Sequence, residues 1–182
     1  MNLSFKSKLF YGGGDLALNL MWQLQVFYIM FFYTDVFGLS PASAGLVFGI
    51  AKIWDAFSDP IMGYLADNTV TRWGKFRPYI LFGSFPALIA IILCFMSPDL
   101  SQTGKFYWAL FTYISFTTLY TVVAIPLGSM IPVMTEDLNE RTALSTYRYF
   151  GASLGAIVVV GCTRPIADQF SSCLLYTSPS PR

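Results

Sequence analysis

Lys52, Asp55 and Asp59 stand in the middle of the apolar run from Pro41 to Tyr64, where a helix crossing a bilayer should carry no charge. A run of that length can span the hydrocarbon core, which takes about 20 apolar residues. Each charge at mid-depth opposes insertion by roughly 2.5–3.5 kcal/mol, so the three together oppose it by about 8–10 kcal/mol before any pairing. Steps of i+3 and i+4 put all three on one helical stripe. A structural ion pair between Lys52 and Asp55 would account for two of them and leave Asp59 over. Two carboxylates and one ammonium sum to −1, the balance that holds one monovalent cation or one proton.

The elements that must position this stripe are membrane helices. Across the 182 residues, 55% are hydrophobic, 18% aromatic and only 12% charged, against roughly 25% charged in an average soluble domain. Apolar windows predict five spans, at about 11–33, 42–64, 78–96, 106–131 and 142–166. The first is not a signal peptide: it is too long, carries Asp15, Asn19 and Gln23, and lacks a small-residue cleavage site. Turn chemistry separates the spans at Gly38-Leu39-Ser40-Pro41, Asp67–Pro78, Ser97-Pro98-Asp99 and Thr135–Asn139. Loops this short make consecutive helices antiparallel neighbours, and ligand contacts must come from inside the bundle. With the N-terminus inside, cytoplasmic segments hold Lys6, Lys8, Arg72, Lys75, Arg77, Arg141 and Arg148, while outer loops hold Lys105 and Arg164. The positive-inside rule therefore predicts a cytoplasmic N-terminus in a cell inner (plasma) membrane.

Other chemistries find little support. Histidine is absent, which removes the commonest general base and metal ligand. Cys94, Cys162 and Cys173 are isolated and suggest neither a disulfide framework nor a zinc site. Gly12-Gly13-Gly14 is not a phosphate loop, since no strand precedes it and no Lys-Ser/Thr follows. No catalytic residue, cofactor or nucleic-acid partner is expected. From about Ser171 the composition changes to a Ser- and Pro-rich stretch that reads as a foreign tail over 171–182, so the chain reads as truncated after its fifth span.

Further polar positions lie within the spans. Asp15, Asn19 and Gln23 recur at i, i+4 and i+8, a stripe that faces either a water-filled path or a neighbouring helix to which it hydrogen-bonds. Asp15, near the membrane edge, fits simple interfacial solvation. Judged on its own, Arg148 fits interfacial snorkelling. Thr117 and Thr118 default to bonding their own i−4 carbonyls. Pro126 and Pro132 free backbone carbonyls where the fourth span lines a cavity. Gly45-x-x-x-Gly49 and Gly151-x-x-x-Gly155 predict close helix packing.

Tyr11-Gly12, Phe32-Tyr33-Thr34-Asp35, Gly38-Leu39, Ile53-Trp54-Asp55-Ala56, Asp59-Pro60-Ile61-Met62-Gly63, Arg72-Trp73-Gly74-Lys75-Phe76-Arg77-Pro78, Tyr120-Thr121, Ile125-Pro126 and Glu140-Arg141 stand in an order and spacing that resembles the glycoside-pentoside-hexuronide cation symporters. The resemblance covers about residues 5–170. Gly63, Asp67, Arg72, Gly74, Lys75 and Arg77 are also similar to the loop motif between the second and third helices of the major facilitator superfamily. The resemblance implies an all-α, polytopic bundle, of which this chain supplies the first five of twelve helices. It implies a cation site at Asp55, Ser58, Asp59 and Thr121, all oxygen donors of the kind hard cations prefer. Lys52 is then the counter-charge. Sodium-using members commonly carry Asn at the position of Ser58, so Na+, Li+ and H+ all stay open. It implies sugar contacts from Asn19 and Arg148, with Gln23, Tyr120, Ala124 and Gly128 in the same substrate region. Asn19 replaces an acidic residue of the galactoside transporters, and Ala124 and Gly128 replace an Asp and a Trp, so another glycoside, pentoside or oligosaccharide is expected.

The function expected is secondary active transport of a sugar coupled to a monovalent cation, with the lipid bilayer and the carboxy-terminal half of the fold as partners. The alternative is a sugar sensor or scaffold of the same fold that does not transport. The basic loop at Arg72, Lys75 and Arg77 would serve either as a cytoplasmic latch or as a topology signal alone.

Overall fold

The computed structural model describes residues 4–175, with side chains described for 4–163. Among the described residues every element is helical: α1 (Phe5–Phe31), a π-helical turn (Phe32–Val36), α2 (Pro41–Asn68), α3 (Arg77–Cys94), α4 (Gln102–Ser129), the one-turn α5 (Ile131–Met134) and α6 (Leu138–Leu175). The five expected spans correspond to α1, α2, α3, α4 and α6. Phe5–Val36, Arg77–Cys94, Gln102–Met134 and Leu138–Thr163 are long and apolar enough to cross a membrane. Helix α2 has 28 residues, about 42 Å at 1.5 Å per residue. Its length suffices, and Lys52, Asp55 and Asp59 are what lower its apolar character.

Local signals explain the helix ends. Ser40 caps α2 by accepting from the Ser43 N–H at 3.1 Å, and Pro41 occupies the first helical position, where its missing N–H costs nothing. Ser101 caps α4 in the same way through the Gly104 N–H. Between α2 and α3, Gly74 adopts φ +99°, a conformation that disfavours any residue with a Cβ. Pro60, Pro86 and Pro126 lie inside α2, α3 and α4. Pro60 has no N–H for the carbonyl of Ala56, so an acceptor is freed within the charged stretch of α2.

Packing pairs α1 with α6, α3 with α4 and α2 with α4. The α1–α6 seam is made by small residues: a Cβ on Gly151 would lie 2.8 Å from the Gly12 carbonyl oxygen, and one on Gly155 would lie 3.4 Å from the Asn19 Cβ. Gly45 and Gly49 differ from expectation, since a Cβ on either meets nothing within 4 Å. The periodicity predicted a packing face, but no described element covers that side of α2. One buried cluster joins Ile29, Tyr33, Phe37, Val47, Ala90 and Phe116 at one end of the bundle, and another joins Tyr11, Leu18, Val123, Leu127 and Leu144 toward the other. Large apolar side chains such as Phe10 and Phe111 face outward, as lipid-facing positions do.

Helix α6 continues to Leu175, five residues into the stretch whose composition reads as a foreign tail. Residues 176–182 lie outside the described residues, as do the side chains of Arg164 and Cys173. The basic residues gather as the loop lengths require: Lys8 of α1 pairs with Glu140 of α6 at 2.7 Å, at the end where α2 meets α3. Lys105 donates to the Phe37 carbonyl at 2.8 Å at the opposite end.

Candidate functional site

Helix α2 presents Lys52, Asp55, Ser58 and Asp59 along little more than two turns, and α4 supplies Thr121. Lys52 Nζ lies 3.0 Å from Asp55 Oδ2. The ammonium side chain is 60% exposed whereas that of Asp55 is 14% exposed, so the pair sits at a rim with its carboxylate facing inward. Asp55 Oδ1 is buried with no hydrogen-bond partner among the described residues. Asp59 Oδ1 accepts from Thr121 Oγ1 at 3.0 Å. Ser58 Oγ turns back to the Asp55 carbonyl at 3.4 Å, a long bond that leaves its lone pairs unused. The arrangement therefore offers oxygens from two helices, including one buried carboxylate atom that lacks a donor. An orphaned acceptor of that kind is costly in an apolar interior and suits a cation or a proton.

Thr117 and Thr118 bond back to the Ile114 carbonyl, as their place in a membrane helix predicts. Thr118 does more, because its Oγ1 also accepts from Trp54 Nε1 at 2.9 Å and ties α2 to α4 beside the acidic stretch.

The second group of polar side chains joins α1 to α6. Asp15 is 3% exposed, and its Oδ1 accepts from Arg148 Nε at 2.8 Å. Its Oδ2 accepts from Asn19 Nδ2, also at 2.8 Å. Interfacial solvation of Asp15 and unpartnered snorkelling of Arg148 are thus both corrected: the buried Asp15 carboxylate pairs with the guanidinium of Arg148, whose side chain stays 37% exposed, across 133 residues of sequence. Neither was assignable from position alone, because α6 brings Arg148 over α1 only through the Gly12–Gly151 contact. A Cβ on Gly128 would lie 3.3 Å from Arg148 Nη1. The small residue leaves room for the guanidinium there.

Trp22 links the two groups and was not singled out by the sequence. Its ring stacks on Tyr120 with centroids 5.0 Å apart, and Lys52 Nζ lies 5.4 Å from its centroid. The available signal was its i+3 relation to Asn19, which puts it on the polar stripe. Gln23 is half-buried on α1. Gln25, also missed, is 1% exposed with neither amide atom partnered among the described residues. Ala124 and Gly128 line a cavity of about 580 Å³ together with Arg148, Asp67, Lys75 and Phe76.

The loop residues are partly gathered. Lys75 Nζ pairs with Asp67 Oδ1 at 3.0 Å, Arg72 covers the Trp73 ring at 4.8 Å, and Arg77 opens α3. Gly63 lies apart, since a Cβ there meets nothing within 4 Å. No group of three or more Cys, Asp or Glu placed to hold a metal ion occurs among the described residues.

Comparison with known proteins bears on this arrangement. The model of a family described as MFS/sugar transport protein matches residues 10–178. The isoprimeverose transporter of Lactiplantibacillus pentosus is 44% identical over 160 residues, an overlap that takes in 88% of this chain and 33% of that protein. The inner membrane symporter YicJ of Escherichia coli (strain K12) is 43% identical over 166 residues, 91% of this chain and 36% of that protein. The uncharacterized symporter YnaJ of Bacillus subtilis (strain 168) is 43% identical over 157 residues, 86% and 34% of the respective chains. The chain thus spans about a third of the length of the curated relatives it matches.

Proposed function

Because this chain belongs to the MFS/sugar transport protein family, among the glycoside-pentoside-hexuronide symporters of the major facilitator superfamily, we propose that it forms the first helices of a twelve-helix secondary transporter. That transporter carries a sugar or glycoside together with one monovalent cation, Na+, Li+ or H+. The observation that carries the cation half is the contact of Thr121 with Asp59 at 3.0 Å, one turn along α2 from the unpartnered Asp55 Oδ1. Asp55, Asp59, Thr121 and Ser58 would supply oxygen ligands, while Lys52, already paired to Asp55, limits the site to a single positive charge. Asn19, Gln23, Tyr120, Ala124, Gly128 and Arg148 would form the sugar side.

The physics of coupling follows from charge. Asp59 is exposed in this structure, and closing a carrier around an empty site would strip its water and leave the charge uncompensated, which disfavours the dehydrated state through which a carrier must pass. A bound cation removes that charge, and each ligand raises the other's affinity by the same factor, worth about 1–3 kcal/mol in coupled systems. Alternating access by rocking of two halves about a midplane site is the architecture that uses such a factor. The same reading places the protein in the inner membrane with its N-terminus cytoplasmic, supported by the gathering of Lys8, Arg72, Lys75 and Arg77 at one end of the bundle.

In the full-length transporter, Asp59→Cys is expected to abolish uphill sugar accumulation while downhill flux persists. Uptake of a glycoside panel with Na+, Li+ or pH gradients imposed separately tests this, and unchanged cation-driven accumulation in Asp59→Cys would sink it.

A further inference from the structure

The cavity bounded by Ala124, Gly128 and Arg148 contains cations, yet each is spent on a neighbour. Arg148 is held by the buried Asp15 at 2.8 Å, and Lys75, on the same cavity wall, is held by Asp67 at 3.0 Å. Asn19, on the same face of α1 as Asp15, gives its amide hydrogen to the same carboxylate. Lys52, beyond the Trp22–Tyr120 stack, is paired with Asp55. The pocket therefore carries hydrogen-bond donors, namely the Arg148 Nη groups turned toward Gly128, but no uncompensated positive charge among the described residues. Neutral hydroxyls can be recognised by such donors. A carboxylate brought there would find no free counter-ion among these side chains, because each cation already serves a carboxylate of the chain.

We propose, resting on the symport reading above, that this site selects uncharged glycosides over hexuronides and other anionic sugars, and that Asp15 is the positioning residue that sets the preference. Asp15 fixes the guanidinium through Nε, aims its Nη donors at the cavity and cancels its charge. The acid stands on α1, one turn before Asn19, and accepts from both Asn19 and Arg148.

The test uses the full-length transporter, with a neutral xyloside or glucoside and the corresponding glucuronide as probes under the cation gradient that drives uptake. The expected result is a kcat/KM for the neutral glycoside at least about tenfold above that for the glucuronide. Asp15→Asn frees the Arg148 charge and is expected to move that ratio about tenfold or more toward the glucuronide, whereas Asp15→Glu keeps the wild-type order. A merely structural role for Asp15 would lower both substrates alike and leave the ratio unmoved, which overturns the assignment to Asp15. Wild-type uptake of glucuronide as efficient as that of the neutral glycoside overturns the neutral-substrate proposal and leaves symport standing, independently of whether any variant folds. Failure of every sugar under every gradient overturns the symport reading and this inference with it.

Discussion

Thr121 Oγ1 donates to Asp59 Oδ1 at 3.0 Å across 62 residues of sequence, and that bond is where α4 meets the charged face of α2. A hydroxyl that donates to a carboxylate still offers its lone pairs to a cation, so Thr121 can both orient Asp59 and ligate. Thr121→Val keeps the shape and removes both roles. The cation concentration for half-maximal uptake is expected to rise at least about tenfold, in line with the roughly 1.5–3 kcal/mol that a hydrogen bond to a charged group contributes. Thr121→Ser should restore most of it. Cation activation curves at fixed sugar check this, and a curve unchanged in Thr121→Val would remove the residue from the site.

Lys52 bears on the same site with the opposite sign. Its ammonium lies 3.0 Å from Asp55 Oδ2, so Lys52→Gln takes a positive charge from beside the cation and leaves two carboxylates to be balanced. Apparent cation affinity is expected to increase by several-fold, with slower turnover because the cation leaves less readily. Activation curves and initial rates in Lys52→Gln against wild type measure both effects. Weaker cation activation would show that Lys52 organises Asp55 rather than competing with the cation.

The α1–α6 seam gives a stability prediction with a built-in control. Gly151 approaches the Gly12 carbonyl so closely that a Cβ would lie 2.8 Å from its oxygen, and the contact is backbone, which cannot swing away. Gly151→Ala must push the helices apart at the point where Asp15 meets Arg148. Overpacking of this kind costs about 1–3 kcal/mol. Gly45→Ala, on a face that meets nothing within 4 Å, should hold or slightly raise stability through helix propensity. Thermal unfolding of the two variants in detergent separates them, and equal Tm shifts would contradict the seam.

Those two glycine pairs also show what the sequence could and could not disclose. Both read as small-xxx-small, yet among the described residues Gly151 and Gly155 are packed against a neighbour and Gly45 and Gly49 are not. The pattern gives a face; which helix covers it depends on the tertiary arrangement. Lys52, Asp55 and Asp59 were legible because three charges within an apolar run conflict with insertion whatever surrounds them. Thr121 was reachable only through family resemblance, since nothing local distinguishes it from Thr117 and Thr118. Asp15 was misjudged for a related reason: its depth was estimated from position along α1, while its partner lies 133 residues away. Trp22 escaped notice because an aromatic residue in a span is ordinarily core or lipid-facing, and its importance comes from Tyr120 and Lys52 on other helices.

The position of Trp22 leads to the last prediction. Its ring stacks on Tyr120 at 5.0 Å and lies beneath the ammonium of Lys52 at 5.4 Å, which is itself bonded to Asp55. On the proposed symport reading, a change at Asp55 that moves Lys52 would reach the ring, and Tyr120 would carry it to the sugar side. Cation–π contacts contribute about 0.5–2 kcal/mol, which is comparable with the coupling a symporter requires. Trp22→Phe should keep the stack and most of the coupling. Trp22→Ala should leave sugar binding measurable but reduce the cation-induced gain in sugar affinity to within about twofold of unity. Sugar dissociation constants of the full-length transporter with and without the coupling cation, in wild type and both variants, give that gain directly; a gain preserved in Trp22→Ala would place the coupling route elsewhere.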